Sequence, residues 1–141
     1  MHRFALLLLT LLMTANAAPD ALDEHRWKHR LILVQAADDK FRQQLQAQWK
    51  ENMAGVKDRD LMLIDLSPET LDLERTVRPD PKAIIAIRKW AEIANPDAPH
   101  FILVGKDGGI KGRQQGELDL LAYFALIDTM PMRQREMREQ E

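Results

Sequence analysis

The sequence predicts an α/β domain with a central mixed sheet flanked by helices. Residues 31–34 (LILV) and 61–64 (LMLI) are short, uninterrupted apolar runs, which is typical of strands buried on both faces. A third run, 101–104 (FILV), is followed by Asp107-Gly108, the residue pair of a tight hairpin turn into a fourth strand at about 110–112. Helical periodicity separates the first two runs, so we expect them to be parallel with a right-handed crossover.

The first predicted helix follows the first strand. Phe41, Leu45, Trp49 and Met53 recur every four residues and form one apolar stripe, and Gly55 is expected to end the helix. Its start lies at 38–39, where two aspartates suit the N-cap position.

The second predicted helix begins after Asp80, an expected N-cap, with Pro81 as its first residue. Residues 84, 87, 90 and 91 are apolar and lie on one side of it. A last helix is expected over 117–128, interrupted by Pro131, with four inward-facing residues: Leu120, Leu121, Phe124 and Ile127. The element order β-α-β-α-β-β-α is that of the thioredoxin-like fold.

The N-terminus has the layout of a secretory signal peptide. His2 and Arg3 precede an apolar run over 4–13, and the small residues at 15–17 predict cleavage after Ala17. The alternative, a transmembrane anchor, needs about 20 apolar residues, roughly twice this run. No cysteine is present, which excludes a lipoprotein anchor. We therefore expect an exported protein, in a periplasm or outside the cell, with no stable membrane anchor after cleavage.

The chain that remains after cleavage has 124 residues, enough for one domain and too few for two. Without residues 1–17, the chain has 19 basic and 22 acidic residues and a formal charge of −3, which argues against nucleic-acid binding. We expect a flexible lead-in over 18–25, a domain over 26–131 and a charged tail over 132–141. Since the chain has no cysteine, it cannot perform thiol–disulfide or peroxidase chemistry by a thiol, and its core alone must hold it.

Four segments resemble one uncharacterised family. They are 26–30 (RWKHR), 59–61 (RDL), 101–109 (FILVGKDGG) and 127–133 (IDTMPMR). The family is a peroxiredoxin-like domain of unknown function in bacterial exported proteins, shared with secreted vertebrate proteins of the sushi-repeat-containing type. The resemblance implies a thioredoxin-like fold and no assigned reaction. The residues that match the family pattern are Arg26, Trp27, Arg30, Arg59, Asp60, Gly105, Lys106, Asp107, Gly108, Asp128, Met130, Pro131, Met132 and Arg133.

Asp38 and Asp39 occupy the place where thioredoxin-like enzymes carry their reactive cysteine, at the start of the first helix. The two aspartates either cap the helix and meet its dipole, which we favour, or contribute to a ligand site.

Pro99 and His100 form the second candidate site, just before the third predicted strand. Thioredoxins carry a cis-proline there. If Pro99 is cis, a groove for an extended peptide could survive without the thiol; if it is trans, it merely starts a strand.

Three further patterns have a structural and a chemical interpretation. Residues 106–109 (KDGG) favour a hairpin over a phosphate loop, because no Gly-Lys-Ser/Thr pattern or helix follows. His25 and His29 are four residues apart, but a metal site usually needs a third ligand. Met130, Met132 and Met137 with His100 could bind cuprous ion, although packing is the commoner use of methionine. We predict no metal and no cofactor.

Two functional hypotheses follow. The first is non-catalytic binding of a protein or peptide in the exported compartment, and the alternative is a metal-binding or degenerate redox protein without its own thiol. Asp60, Asp128 and Arg133 are expected to pair and to hold the tail on the domain.

Overall fold

The computed structural model describes residues 17–95 and 97–141. Apart from Ala17, the predicted signal peptide lies outside this part of the chain. No helix within the described ranges has the length and hydropathy needed to cross a membrane.

In chain order the elements are a 3-10 helix (Asp20–His25), β1 (Arg30–Gln35), α1 (Asp39–Glu51), α2 (Met53–Asp58), β2 (Leu61–Asp65), β3 (Thr76–Val77), α3 (Pro81–Trp90), β4 (His100–Val104), β5 (Ile110–Gln115), α4 (Leu120–Asp128) and α5 (Pro131–Glu139).

The five strands form one mixed sheet in the order β3-β2-β1-β4-β5. β1 is parallel to β2 and antiparallel to β4, and the hairpin places β5 antiparallel to β4. All six residues of β1 are buried, as expected for a central strand covered on both faces. The predicted α/β class with a central mixed sheet is therefore confirmed.

Alternate residues of β1, the central strand, contribute to two separate hydrophobic cores, one on each face of the sheet. Ile32 and Val34 face α1, α2 and α4, where Trp49 is completely buried. Leu31 and Leu33 face the other side, where they pack with α3 and with Leu22 of the 3-10 helix. This alternation is the period of two that a strand imposes.

Gly55 does not end the first helix, contrary to prediction. The helix breaks at Asn52 instead, and Gly55 lies inside α2. A Cβ atom at Gly55 would lie 2.6 Å from Cε2 of Phe124, so the glycine permits α4 to approach. Its role is close packing, which the local sequence does not reveal.

The last predicted helix starts later than expected, at Leu120, because the Asp119 carboxylate caps it by accepting the Ala122 amide. Leu121 was expected to face inward but is 61% exposed. Tyr123 is buried in its place, and with residues 120, 124 and 127 it forms the i, i+3, i+4, i+7 stripe of a helix packed on a core.

Three further segments contain elements that the local sequence pattern does not predict. The charged connection after β2 contains the edge strand β3. Residues 18–25, expected to be a flexible lead-in, contain the 3-10 helix, whose Leu22 and His25 are buried. The segment 132–141, expected to be a tail, is mostly α5, whose Arg133 is buried by ion pairs with the domain.

Candidate binding cleft at the amino end of the central strand

The family-pattern residues, although distant in sequence, gather at one end of the sheet. This is the end where β1 and β2 begin and β4 finishes, because Arg30 is paired with Leu61 and Leu31 with Val104. A cleft of about 350 Å³ lies there, and we call it the Trp27 cleft. It is lined by Trp27, Gly105, Lys106, Asp107, Lys111, Met130, Pro131 and Met132, all but Lys111 being family-pattern residues.

Trp27 forms the exposed edge of the cleft. Its side chain is 63% exposed, and its backbone has a φ of 69°, a left-handed conformation that is rare for a bulky residue. The Trp27 amide donates a hydrogen bond of 2.7 Å to the Lys106 carbonyl, which fixes the strained turn against the β4–β5 hairpin.

The hairpin itself is built as the sequence predicts. The Gly105 amide donates to the Gly109 carbonyl at 2.9 Å, and Gly108 has a φ of 85°. Asp107 accepts the Gly109 amide at 2.9 Å and the Lys111 ammonium at 2.8 Å. Partial burial opposes ionisation of Asp107, but these hydrogen bonds hold its pKa below the usual range. The loop is a hairpin and not a phosphate loop.

Lys106 closes the floor of the cleft. Its ammonium is buried and donates to Asp60 at 2.8 Å and to Glu136 at 2.6 Å. Glu136 in turn accepts both Nη atoms of Arg30. Burial acts to raise the pKa of Glu136, but the hydrogen bonds from Arg30 and Lys106 outweigh it and hold that pKa below its usual range.

A second group of charges ties α5 to α2 and α4. Asp128 accepts Arg59 at 2.8 and 3.0 Å and Arg133 at 3.0 Å. Arg133 also donates to the Asp58 carbonyl and carboxylate. The expected pairing of Asp128 with Arg133 is confirmed, whereas Asp60 pairs with Lys106 instead.

Sequence reasoning missed Asp58, Lys111 and Glu136. A signal was present for Glu136, because an arginine that opens a buried strand needs an acidic partner. Nothing local identifies that partner, since Glu136 lies 106 residues after Arg30.

Asp38 and Asp39 lie at the opposite end of the sheet from the Trp27 cleft, after the end of β1. The Asp38 carboxylate accepts the Lys40 amide at 2.8 Å, so Asp38 is the N-cap of α1, and Asp39 is its first residue. Both side chains are exposed.

Pro99 and His100 lie at that same end, because His100 is paired with Gln35. The described residues contain no cis peptide bond, so Pro99 is trans and simply precedes β4. The peptide groove that was predicted on the condition of a cis-proline is therefore not supported. The ring of His100 is buried and its Nε2 lies 3.2 Å from the Asn95 carbonyl oxygen.

The candidate metal ligands do not form a complete set. His25 and His29 meet, with their Nδ1 atoms 3.1 Å apart. His100 lies at the end of the sheet remote from Met130 and Met132, so the expected copper ligands are not brought together. Across residues 17–95 and 97–141, no three histidine, aspartate or glutamate side chains cluster as a metal site requires.

Comparison with solved structures shows the fold. The chain is similar to the reduced 2-Cys peroxiredoxin of Plasmodium vivax, with 11% identity, a TM-score of 0.55, and coverage of 81% of this chain and 84% of that one. It is also similar to the mitochondrial 2-Cys peroxiredoxin of Plasmodium falciparum, with 8% identity, a TM-score of 0.53, and coverage of 75% and 77%. These likenesses confirm the thioredoxin-like fold.

Sequence comparison shows the family. No curated protein matches the chain. The profile of the family described as "Domain of unknown function (DUF4174)" matches residues 21–136, a range that includes the Trp27 cleft and most of α5. The chain therefore belongs to the DUF4174 family, on a thioredoxin-like fold.

Proposed function

We propose that the protein is an exported, non-catalytic binding module whose Trp27 cleft takes an apolar side chain of a peptide or protein segment. The observation that carries this proposal is Trp27 itself, a large aromatic side chain held in a strained backbone conformation and left 63% exposed at the rim of the cleft. A sparsely populated backbone region costs about 1–3 kcal/mol, and such outliers cluster at ligand-binding sites.

The walls of the cleft suit an apolar occupant. Met130, Pro131 and Met132 lie on one side of it, and methionine adapts its shape to irregular partners. Tryptophan is enriched among the residues that dominate binding energies at protein interfaces. A volume of about 350 Å³ is near the small end of ligand pockets, so it fits a side chain or two and not a folded element.

The charges around the cleft are already paired. Lys106 is neutralised by Asp60 and Glu136, and Lys111 by Asp107. A strongly charged partner would have to displace these ion pairs. Because displacing these ion pairs costs free energy, the cleft favours an uncharged segment whose affinity comes from burial of apolar surface.

Selection from a displayed library of short peptides tests the proposal. Peptides enriched on the purified protein should carry a large apolar or aromatic residue. Trp27→Ala should weaken their binding, measured by fluorescence anisotropy, by about tenfold or more, equivalent to about 1.4 kcal/mol. Leu121→Ala is the matched control, because Leu121 is similarly exposed on α4 and does not line the cleft.

Two results would contradict the proposal. One is a library that yields no peptide whose binding depends on Trp27. The other is reduction of insulin disulfides or of peroxide by protein free of contaminating thiols, which would show catalysis.

The alternative function, metal binding, has one observation in its favour, the contact between the Nδ1 atoms of His25 and His29. Calorimetric titration with zinc or cuprous ion tests it. We expect no saturable heat, because two imidazoles supply fewer ligands than a stable zinc site uses. Saturable heat that disappears in His29→Gln would favour this alternative.

A further inference from the structure

We propose that a second cavity, at the other end of the sheet, binds a small monocarboxylate with an apolar body. The cavity has a volume of about 290 Å³ and lies between the segment after β2 and α3. We call it the Arg88 cavity. The lining residues that matter to the argument are Leu66, Pro68, Arg78, Ile84, Ile85 and Arg88.

The position of the cavity is one at which α/β sheets bind ligands. Leu66 and Pro68 follow the carboxyl end of β2, which is parallel to β1. In open α/β sheets, ligands bind beyond the carboxyl ends of the strands. The Trp27 cleft lies at the amino end of the same two strands, so the two sites are separate.

The Arg88 cavity carries one positive charge more than it neutralises. Arg78 donates to the Asp65 carboxylate at 3.1 Å, and Asp65 is completely buried and also accepts the amides of Ser67 and Leu71. Arg88 has no carboxylate within ion-pair distance among the residues that the structure describes. Of the two guanidinium groups, only that of Arg78 is ion-paired.

The Arg88 guanidinium is held in place by neutral acceptors. Its Nε donates to Oε1 of Gln35 at 2.8 Å, and its Nη2 donates to the Leu66 carbonyl at 2.6 Å. Its Nη1 makes no hydrogen bond to a described residue. An arginine fixed in this way has a donor left for an anion, and a planar guanidinium matches a carboxylate in geometry.

Apart from Ser67, whose hydroxyl accepts the Ala36 amide, the rest of the lining is apolar. Ile84 is buried at the base, Ile85 is 66% exposed at the rim, and prolines contribute rigid walls. Apolar walls beside one surplus positive charge suit a monoanion with a hydrocarbon body, and they disfavour a multiply charged phosphate. The small volume points to a small molecule or to one terminal group.

Titration with 4-phenylbutyrate tests the assignment, with 4-phenylbutyramide as its uncharged counterpart. In ¹⁵N–¹H spectra of the purified protein, the acid should shift the Ile85 amide and the Arg88 Nε–H signals saturably. The amide should bind about tenfold more weakly or worse, because it lacks the charge-assisted hydrogen bond.

Substitutions locate the effect. Arg88→Gln should weaken binding of the acid by about tenfold. Arg138→Gln, an exposed change on α5, is the matched control. If Arg88→Gln fails to fold, Ile85→Glu replaces it, because Ile85 is exposed and a carboxylate there should repel the acid. Trp27→Ala should leave binding of the acid unchanged, which separates this site from the Trp27 cleft.

Equal binding of the acid and the amide would overturn the proposal. So would an absence of shifts up to the solubility limit of the acid, or shifts confined to residues of the Trp27 cleft.

Discussion

Glu136, near the end of the chain, makes a bidentate ion pair with Arg30, the first residue of the central strand, at N–O distances of 3.0 and 3.1 Å. Arg30 is 1% exposed and also donates to the Arg59 carbonyl at 3.0 Å. Because Glu136 bonds to Lys106 as well, one carboxylate on α5 neutralises two buried cations from β1 and from the hairpin. The last helix is therefore an integral part of the domain.

Replacing Glu136 should show how far stability depends on that carboxylate. Glu136→Gln keeps the size of the side chain but leaves Arg30 and Lys106 short of negative charge. Breaking a buried ion pair from one side costs about 3–5 kcal/mol, and the lower end applies because Glu136 is 21% exposed. Urea unfolding measures the loss. Glu139→Gln, at an exposed position on the same helix, should change little, and equal midpoints for the two variants would contradict this account.

Gly55→Ala should destabilise the protein although alanine is the better helix former. The new Cβ would lie 2.6 Å from Phe124 Cε2, and the Phe124 ring is held from one face by the Arg59 guanidinium at 4.2 Å. We expect a net loss of about 1–3 kcal/mol from overpacking. Thermal unfolding tests this, and Phe124→Leu in the same chain should recover part of the loss. A higher melting temperature for Gly55→Ala alone would show that the ring moves aside freely.

Stability should fall as the pH drops below about 6.5, the ordinary pKa of histidine. Burial lowers the pKa of both His25 and His29, and the charge of His25 adds to the effect at His29. The folded state therefore binds fewer protons than the unfolded chain. The stabilisation is complete above pH 6.5 and is lost as the pH falls toward the lowered pKa values.

Urea unfolding at pH 7.5 and at pH 5.5 tests the histidine pair. His29→Gln retains a hydrogen-bonding group beside His25 but removes one titrating ring, so its stability should depend less on pH. The same dependence in the variant and in the unaltered protein would assign the effect to other groups.

Acid should weaken the ion pairs that hold α5 on the rest of the domain. Burial opposes ionisation of Asp58, Asp128 and Glu136, yet hydrogen bonds from arginine and lysine hold the pKa of each below its usual range. Their stabilisation is present above the unfolded pKa values, about 4, and is lost as the pH falls through the lower folded values.

Asp128→Ala should lower the melting temperature at neutral pH, because Arg59 and Arg133 lose their shared partner. It should also reduce the further loss of stability in acid. Asp72→Ala, at an exposed position, serves as the control. An unchanged melting temperature for Asp128→Ala would argue that this carboxylate serves a ligand and not the fold.

Features that depend on neighbouring residues were predictable from the sequence. The apolar runs at 31–34 and 61–64 became buried strands, Asp38 and Asp80 became N-caps, and residues 105–109 closed a hairpin. In each case the physical cause is local: a side chain bonds to an amide a few residues away, or an apolar run has the period of its element. Except for Lys111, the residues of the Trp27 cleft were marked as a set only by family resemblance, which carried no information on why they belong together.

By itself, then, the sequence determined the α/β class, the absence of cysteine from this chain and the local signals of most elements. Only the tertiary structure decided that Pro99 is trans, that Gly55 makes room for Phe124, and that α5 belongs to the domain. It also decided that the cleft forms at the amino end of the central strand. The reason is that these properties depend on partners far along the chain. A buried Arg30 requires a carboxylate, but only the folded topology selects Glu136 to provide it.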